Sequence, residues 1–213
     1  MEELPMTYQL IARRVQGNTP GDVLDIPWEE LPTSSVFVDA VIGGRASFET
    51  TVQAAWDEEY LYLRFCCEDR EVLATMVRRD DPLYNEEVVE AFIAPEDIYH
   101  YYEFNLSPKN VVFDSEISHD GTVHHGNPAW DCIGLIHRVV RQEQAGAEFG
   151  SWVGMLAIPF AALNFRPERG RSLRANFYRI KRIPADEYLA WSPTHCDPAN
   201  FHAPTSFGEL KLA

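Results

Sequence analysis

The stretch Tyr60–Cys67, YLYLRFCC, decides the fold class. Leu61, Leu63, Phe65 and Cys67 alternate with Tyr60, Tyr62, Arg64 and Cys66. That period of two sends successive side chains to opposite faces of a sheet. Working outward, strand patterning recurs at residues 46–55, Val88–Ala94, 99–106, 111–117, 133–140, 152–158, 173–180 and Gly208–Leu212, with Gly, Pro, Asn and Asp between the segments. Short strands at this spacing, punctuated by turn formers, point to an all-β sandwich. One short piece, residues 159–163, reads as helical, with Pro159 in the first turn. Strands do not alternate with long amphipathic helices, which argues against a parallel α/β sheet. The expected fold is an antiparallel β-sandwich, immunoglobulin- or jelly-roll-like. It forms a single domain over residues 21–213, preceded by a lead-in strand or arm at 1–20.

Composition narrows the function. The 213 residues are 46% hydrophobic, 24% charged and 12% aromatic, which suits a globular chain able to bury a core without disulfide staples. The net charge of −15 sets up a field that repels polyanions, so nucleic acid and anionic membrane surfaces are excluded as partners. No apolar run is long enough for a membrane-spanning helix. The opening MEELPMTYQL lacks the basic-then-apolar pattern of a secretory signal, so a cytoplasmic protein is expected unless the chain was cut from a secreted one. The adjacent Cys66 and Cys67 face opposite ways on a strand. With Cys132 and Cys196 they form no CxxC motif, and all four read as buried, reduced thiols.

Seven segments in order resemble the carbohydrate-binding module family 9-like domains. They are residues 56–69 (WDEEYLYLRFCCED), 79–93 (RDDPLYNEEVVEAFI), 101–110 (YYEFNLSPKN), 152–160 (WVGMLAIPF), 176–180 (NFYRI), 190–193 (AWSP) and 201–208 (FHAPTSFG). The resemblance implies a β-sandwich that holds a terminal sugar between two aromatic rings, above charged and amide side chains. The ring positions fall on Tyr84 and Phe201, the strand carboxylate on Glu90, and the polar position of the next strand on Asn105. Sugar-binding members carry tryptophan at both ring positions and arginine at the last, so this chain offers smaller rings and an amide. Some members hold structural calcium; otherwise no cofactor is implied.

The same residues can be read physically. On Val88–Ala94, Glu90 shares a face with Val88 and Phe92, and a carboxylate among apolar neighbours is costly unless something bonds it. On the next strand Tyr101, Glu103 and Asn105 share a face. If the two strands pair, Glu90, Glu103 and Asn105 converge, giving acceptors and an amide for hydroxyls beside rings that pack on sugar C–H groups. The plainer alternative is that Glu90 bridges to Arg64 or Arg179 as scaffold. Trp56 reads as a core anchor, Trp130 and Trp152 as packing or rim. Asn200, Trp191 and Arg179 are expected to line the site.

The expected function is non-catalytic binding of a saccharide chain end or small oligosaccharide. Two alternatives stand beside it. Glu90 and Glu103 could serve as the paired carboxylates of a glycoside hydrolase-like enzyme or accessory domain. Related sandwich domains also bind haem b through Met with His or Lys, and Met76 and Met155 are available. The polar stretch 118–131 holds His119, Asp120, His124 and His125, with Asp114 and Glu116 just before it. Its spacing matches no known metal motif, and a solvated surface loop is expected.

Overall fold

The computed structural model describes residues 8–16, 21–127, 129–142 and 150–213. Among these, the strands are β1 (Gln9–Arg14), β2 (Val38–Asp39), β3 (Thr50–Trp56), β4 (Tyr60–Cys67), β5 (Val88–Ala94), β6 (His100–Leu106), β7 (Val112–His119), β8 (His124–Asn127), β9 (Ile136–Gln142), β10 (Ser151–Pro159), β11 (Ser172–Lys181), β12 (Glu187–Ala190) and β13 (Gly208–Leu212). Hydrogen bonds join them in the order β8-β7-β6-β5-β11-β13-β1-β3-β4-β10-β9, with β12 on β11 and β2 on β12. The pairing is antiparallel except at β1, which runs parallel to both β13 and β3 and so links the two layers of an all-β sandwich.

The period-two reading of β4 explains the layering. Leu61, Leu63, Phe65 and Cys67 enter the central core, where Val89, Ala91 and Ile93 of β5 and Phe104 and Leu106 of β6 meet them. Phe65 packs edge-on against Phe177 of β11 at 6.0 Å. A Cβ at Gly154 would stand 3.1 Å from Leu106 Cδ2 and 3.6 Å from Val89 Cγ2, so the layers touch there. Trp56 and Trp152 lie in this core and Trp130 packs against it. All four cysteines are free, but only Cys67 and Cys132 are fully buried.

Charge is also buried between the layers. Asp69 accepts from Arg179 at 2.5 Å and from Lys181 at 2.6 Å, and Glu87 stands 3.4 Å from Lys181. Arg179 also donates to Thr50 Oγ1 and to the Glu68 carbonyl. A buried cation is tolerated only when paired and hydrogen-bonded in this way.

Each outer face carries its own apolar cluster. Trp28 and Ile26 cover Tyr62, Met155 and Ala157 on the β4–β10 side. Phe201 and Phe207 cover Phe92, Tyr101 and Tyr178 on the β5–β6–β11 side.

Two segments read as helix and loop differ in type from that reading. Pro159 is the last residue of β10, paired with Tyr60, and residues 160–164 form turns rather than a helix. Five residues are too few to offset helix nucleation, and Phe160, Leu163 and Phe165 are each buried in the core. Within the stretch read as a loop, His124–Asn127 is an edge strand paired with β7. Its residues are exposed, so it shows no apolar alternation.

Candidate functional site

The outer face of β5, β6 and β7 brings alternate side chains into register. Glu90 pairs with Asn105 across β5 and β6, and Phe92 with Glu103. Asn105 then pairs with Phe113 on β7, and Glu103 with Ser115. On the other flank Tyr178 of β11 lies opposite Glu90. Over this face lies a cavity of about 440 Å³, within the ~300–1,000 Å³ range of small-molecule sites. Tyr84, Phe113, Tyr188 and Phe201 give it aromatic walls, Glu90 and Glu103 lie in its floor, and His124, Asn200 and His202 complete the lining.

The rings are held differently. Tyr84 sits on the 3-10 turn Leu83–Asn85, anchored by buried Leu83. It meets Phe113 edge-on at 5.6 Å and is 43% exposed, so a ligand can reach its surface. Phe201 is 8% exposed and stacks on Tyr178 at 4.2 Å and 10°. The Tyr178 hydroxyl donates to the Phe201 carbonyl at 2.9 Å. Arg182 ties two walls together: its guanidinium donates to the Tyr84 carbonyl at 3.0 Å and to the Tyr188 hydroxyl at 2.9 Å.

The floor is polar and poorly solvated. Asn105 Nδ2 donates to Glu103 Oε1 at 2.9 Å. Glu90 Oε1 and Asn105 Oδ1 are buried and find no hydrogen-bond partner among the described residues. Burial pushes the Glu90 carboxyl well above the usual range; the Glu103 charge adds to this and Arg182 opposes it. Burial likewise raises Glu103 to about 7, against the pull of the Asn105 amide. Unmade hydrogen bonds in such a place cost free energy that a polar ligand can recover.

Of the expected site residues, the structure brings together Tyr84, Glu90, Glu103, Asn200 and Phe201 around the cavity. Asn105 is fully buried directly behind it. Asn200 Oδ1 accepts from the His202 backbone N–H at 3.0 Å, shaping the loop. Trp191 and Arg179 do not line the cavity. Trp191 is 2% exposed and packs in the central core against Phe177 at 5.5 Å and Tyr8 at 5.7 Å. Arg179 is odd-numbered on β11, so it shares the inward face with Phe177 while Tyr178 and Ile180 face outward; its partner is Asp69. Glu90 is therefore bridged neither by Arg179 nor by Arg64, which donates to Gln53. Sequence reasoning missed Phe113, Tyr188, His124, His202 and Arg182. For Phe113 the signal was present: on β7 it alternates in phase with Ser115 and Ile117.

Other candidate centres fit less well. The carboxylates of Asp80, Asp114 and Asp131 lie within 4.8 Å of one another, but the Arg79 guanidinium bonds both Asp114 and Asp131. Arg79 offsets one of the three charges, and together with the Cys132 N–H on Asp114 it holds oxygens that a calcium ion would need, so as arranged these residues do not fit a calcium ion. Met76 packs against the apolar cluster of one outer face and Met155 lies within that of the other. A wider depression of about 980 Å³ lies beside Gln9, Arg174 and Glu209. There Arg174 is bonded to the Phe207 and Gly208 carbonyls and Glu209 to Ser172 and Gln9, and no unpartnered buried side-chain atom among the described residues belongs to its lining.

Three comparisons with known proteins bear on this geometry. The family model for carbohydrate-binding family 9 matches residues 38–212. A crystal structure of a candidate carbohydrate-binding protein from Bacteroides uniformis ATCC 8492 is similar with a TM-score of 0.79 and 18% identity, over 98% of this chain and 100% of that one. A carbohydrate binding module family 9 from Caldicellulosiruptor kristjanssonii in complex with glucose matches with a TM-score of 0.64 and 14% identity, covering 96% and 95% of the two chains. The cellotriose complex gives a TM-score of 0.63 at 14% identity, covering 96% and 93%. Curated proteins yield no match. The family model spans most of the chain, and the chain belongs to carbohydrate-binding family 9.

Proposed function

We propose that the cavity between Tyr84 and Phe201 binds the end of a neutral saccharide and releases it unchanged. The observation that carries this reading is the pairing of aromatic walls with a buried carboxyl floor in which Glu90 Oε1 has no partner among the described residues. A pyranose presents C–H groups on its faces and hydroxyls on its edge. The faces suit Tyr84 and Phe201, and the edge suits Glu90 and Glu103, with Asn105 supporting Glu103 from behind. The net charge of −15 favours an uncharged ligand over an acidic one. Relatives of the same fold are known in complex with glucose and cellotriose, which makes these the first ligands to try. Tyr84 and Phe201 offer less stacking area than tryptophan, so the polar floor carries a larger share of the affinity.

The test is calorimetry with glucose and cellotriose on the wild-type protein and on Tyr84→Ala and Glu90→Gln, with chromatography of the recovered sugar. Tyr84 is partly exposed and Glu90→Gln is isosteric, so both variants should fold. Binding that weakens about tenfold in either variant, with the sugar intact, supports the reading. Binding unaffected by both variants places the ligand elsewhere, and shortened cellotriose makes the protein an enzyme.

A further inference from the structure

His202 lines the cavity, yet its ring is fixed from every side. Phe92 lies 5.0 Å from one flank, and His124 of the edge strand β8 stacks on it at 3.5 Å and 9°. Its backbone N–H donates to Asn200, and its carbonyl accepts from His119 Nε2 at 3.2 Å. The Gly121 backbone N–H donates to the remaining nitrogen of His119 at 2.9 Å. The stretch that reads as a solvated histidine loop is thus the buttress of one side chain.

The tautomer of His202 follows from its partners. Nδ1 lies 2.7 Å from the Tyr101 hydroxyl. Tyr101 is fully buried, and its proton has no other acceptor among the described residues, so the hydroxyl donates and Nδ1 accepts. A neutral imidazole then carries its proton on Nε2. Burial, with His124 and His119 nearby, lowers this imidazole to about 3, so it stays neutral. Nε2 points toward Glu103 Oε2 at 3.9 Å, beyond direct hydrogen-bond reach. An oxygen atom about 2.8 Å from each fits between them. The Asn105 amide does not supply this donor: one of its N–H groups is bonded to Glu103 Oε1, and the residue is fully buried and does not line the cavity.

We propose that His202 is a hydrogen-bond donor of the binding site, and that its Nε2–H and the Glu103 carboxyl group bracket one hydroxyl of the bound saccharide. Tyr101 is the positioning residue that fixes the tautomer. The inference rests on the cavity being a saccharide site, and it adds a specificity element: one hydroxyl, received by a donor and an acceptor together, at a position where a sugar lacking that hydroxyl leaves both groups unpaired.

Two measurements test it. Long-range ¹H–¹⁵N imidazole spectra of the free protein near neutral pH should show His202 protonated on Nε2 alone, with Tyr101→Phe releasing that tautomer. A proton on Nδ1, or on both nitrogens, overturns the assignment whatever the protein binds. The second is calorimetry of wild type and His202→Phe, which keeps a ring between Phe92 and His124, against glucose and its four monodeoxy analogues at carbons 2, 3, 4 and 6. The variant should lose about fivefold to tenfold for glucose and nothing for the one analogue that lacks the bracketed hydroxyl. An equal loss for every analogue, or no loss for glucose, overturns it. If His202→Phe fails to fold, the same series on Tyr101→Phe should show a smaller loss of the same selectivity. A wild-type protein that binds none of these sugars removes the saccharide reading, and this proposal with it. A correct ligand with the wrong tautomer removes only the proposal.

Discussion

Replacing Glu103 by glutamine should stabilise the protein at alkaline pH and leave it unchanged in acid. Glu103 is 5% exposed and its carboxyl is raised to about 7 from an ordinary 4.5. The folded chain therefore holds this proton more tightly than the unfolded chain does. Below pH 4.5 both states are protonated and Glu103 costs nothing extra. Between 4.5 and 7 the unfolded state loses its proton first, so stability falls as pH rises. Above 7 both are ionised and the whole penalty is present. At about 1.4 kcal/mol per pH unit, the window amounts to roughly 3 kcal/mol. Glutamine keeps an acceptor for Asn105 Nδ2 and carries no charge. It also removes the charge that helps hold Glu90 protonated, which acts in the same direction. His202, lowered from 6.5 to about 3, contributes the opposite slope between those values, because there the unfolded state binds the extra proton. That slope is common to both proteins and cancels in the difference. Urea unfolding of wild type and Glu103→Gln near pH 4 and pH 8 should give a gain of about 2–3 kcal/mol at the higher value only. An equal gain at both, or none at pH 8, would refute the argument that Glu103 is held against its charge. The same variant should bind saccharide more weakly, so stability and function trade against each other at this residue.

Three further outcomes are expected. Asp69→Asn withdraws the shared counter-ion of Arg179 and Lys181 and should cost about 3–5 kcal/mol in chemical denaturation. Gly208→Ala places a Cβ 2.5 Å from the Trp191 ring and 2.7 Å from the Tyr8 carbonyl; backbone must move, and a loss of about 1–3 kcal/mol should appear in thermal melts. Trp191→Phe should lower stability by about 1–3 kcal/mol while leaving glucose and cellotriose affinity unchanged in calorimetry. A tenfold loss of affinity in the folded variant would return Trp191 to the site.

What the sequence made legible was what alternation governs. The opposed faces of β4, β5 and β6 follow directly from period two, and with them the convergence of Glu90, Glu103 and Asn105. Tyr84 and Phe201 were legible only through family resemblance, since each lies on a connecting segment without periodicity. Arg179 shows where alternation falls short. It separates Phe177 and Arg179 from Tyr178 and Ile180, but it does not say which set faces inward, and a charged residue would ordinarily be placed outside. Asp69, a hundred and ten residues earlier in sequence, reverses that choice. His202 was hidden for a similar reason. Its neighbours Tyr101, His119 and His124 come from distant strands, and β8 lacks the buried face that would have announced it as a strand.

The placement of β1 has a consequence for how the chain assembles. Its partners are β3, some forty residues away, and β13, two hundred residues away. During synthesis β1 can dock on β3 early, yet its other edge stays uncovered until β13 emerges. Until then the nascent protein presents an open apolar seam between the layers, a ready template for pairing with another chain. Removing Gly208–Leu212 should therefore act less like trimming a tail than like unlatching a clasp. Leu210 and Leu212 leave the central core, and β1 and β11 each lose a neighbour at once.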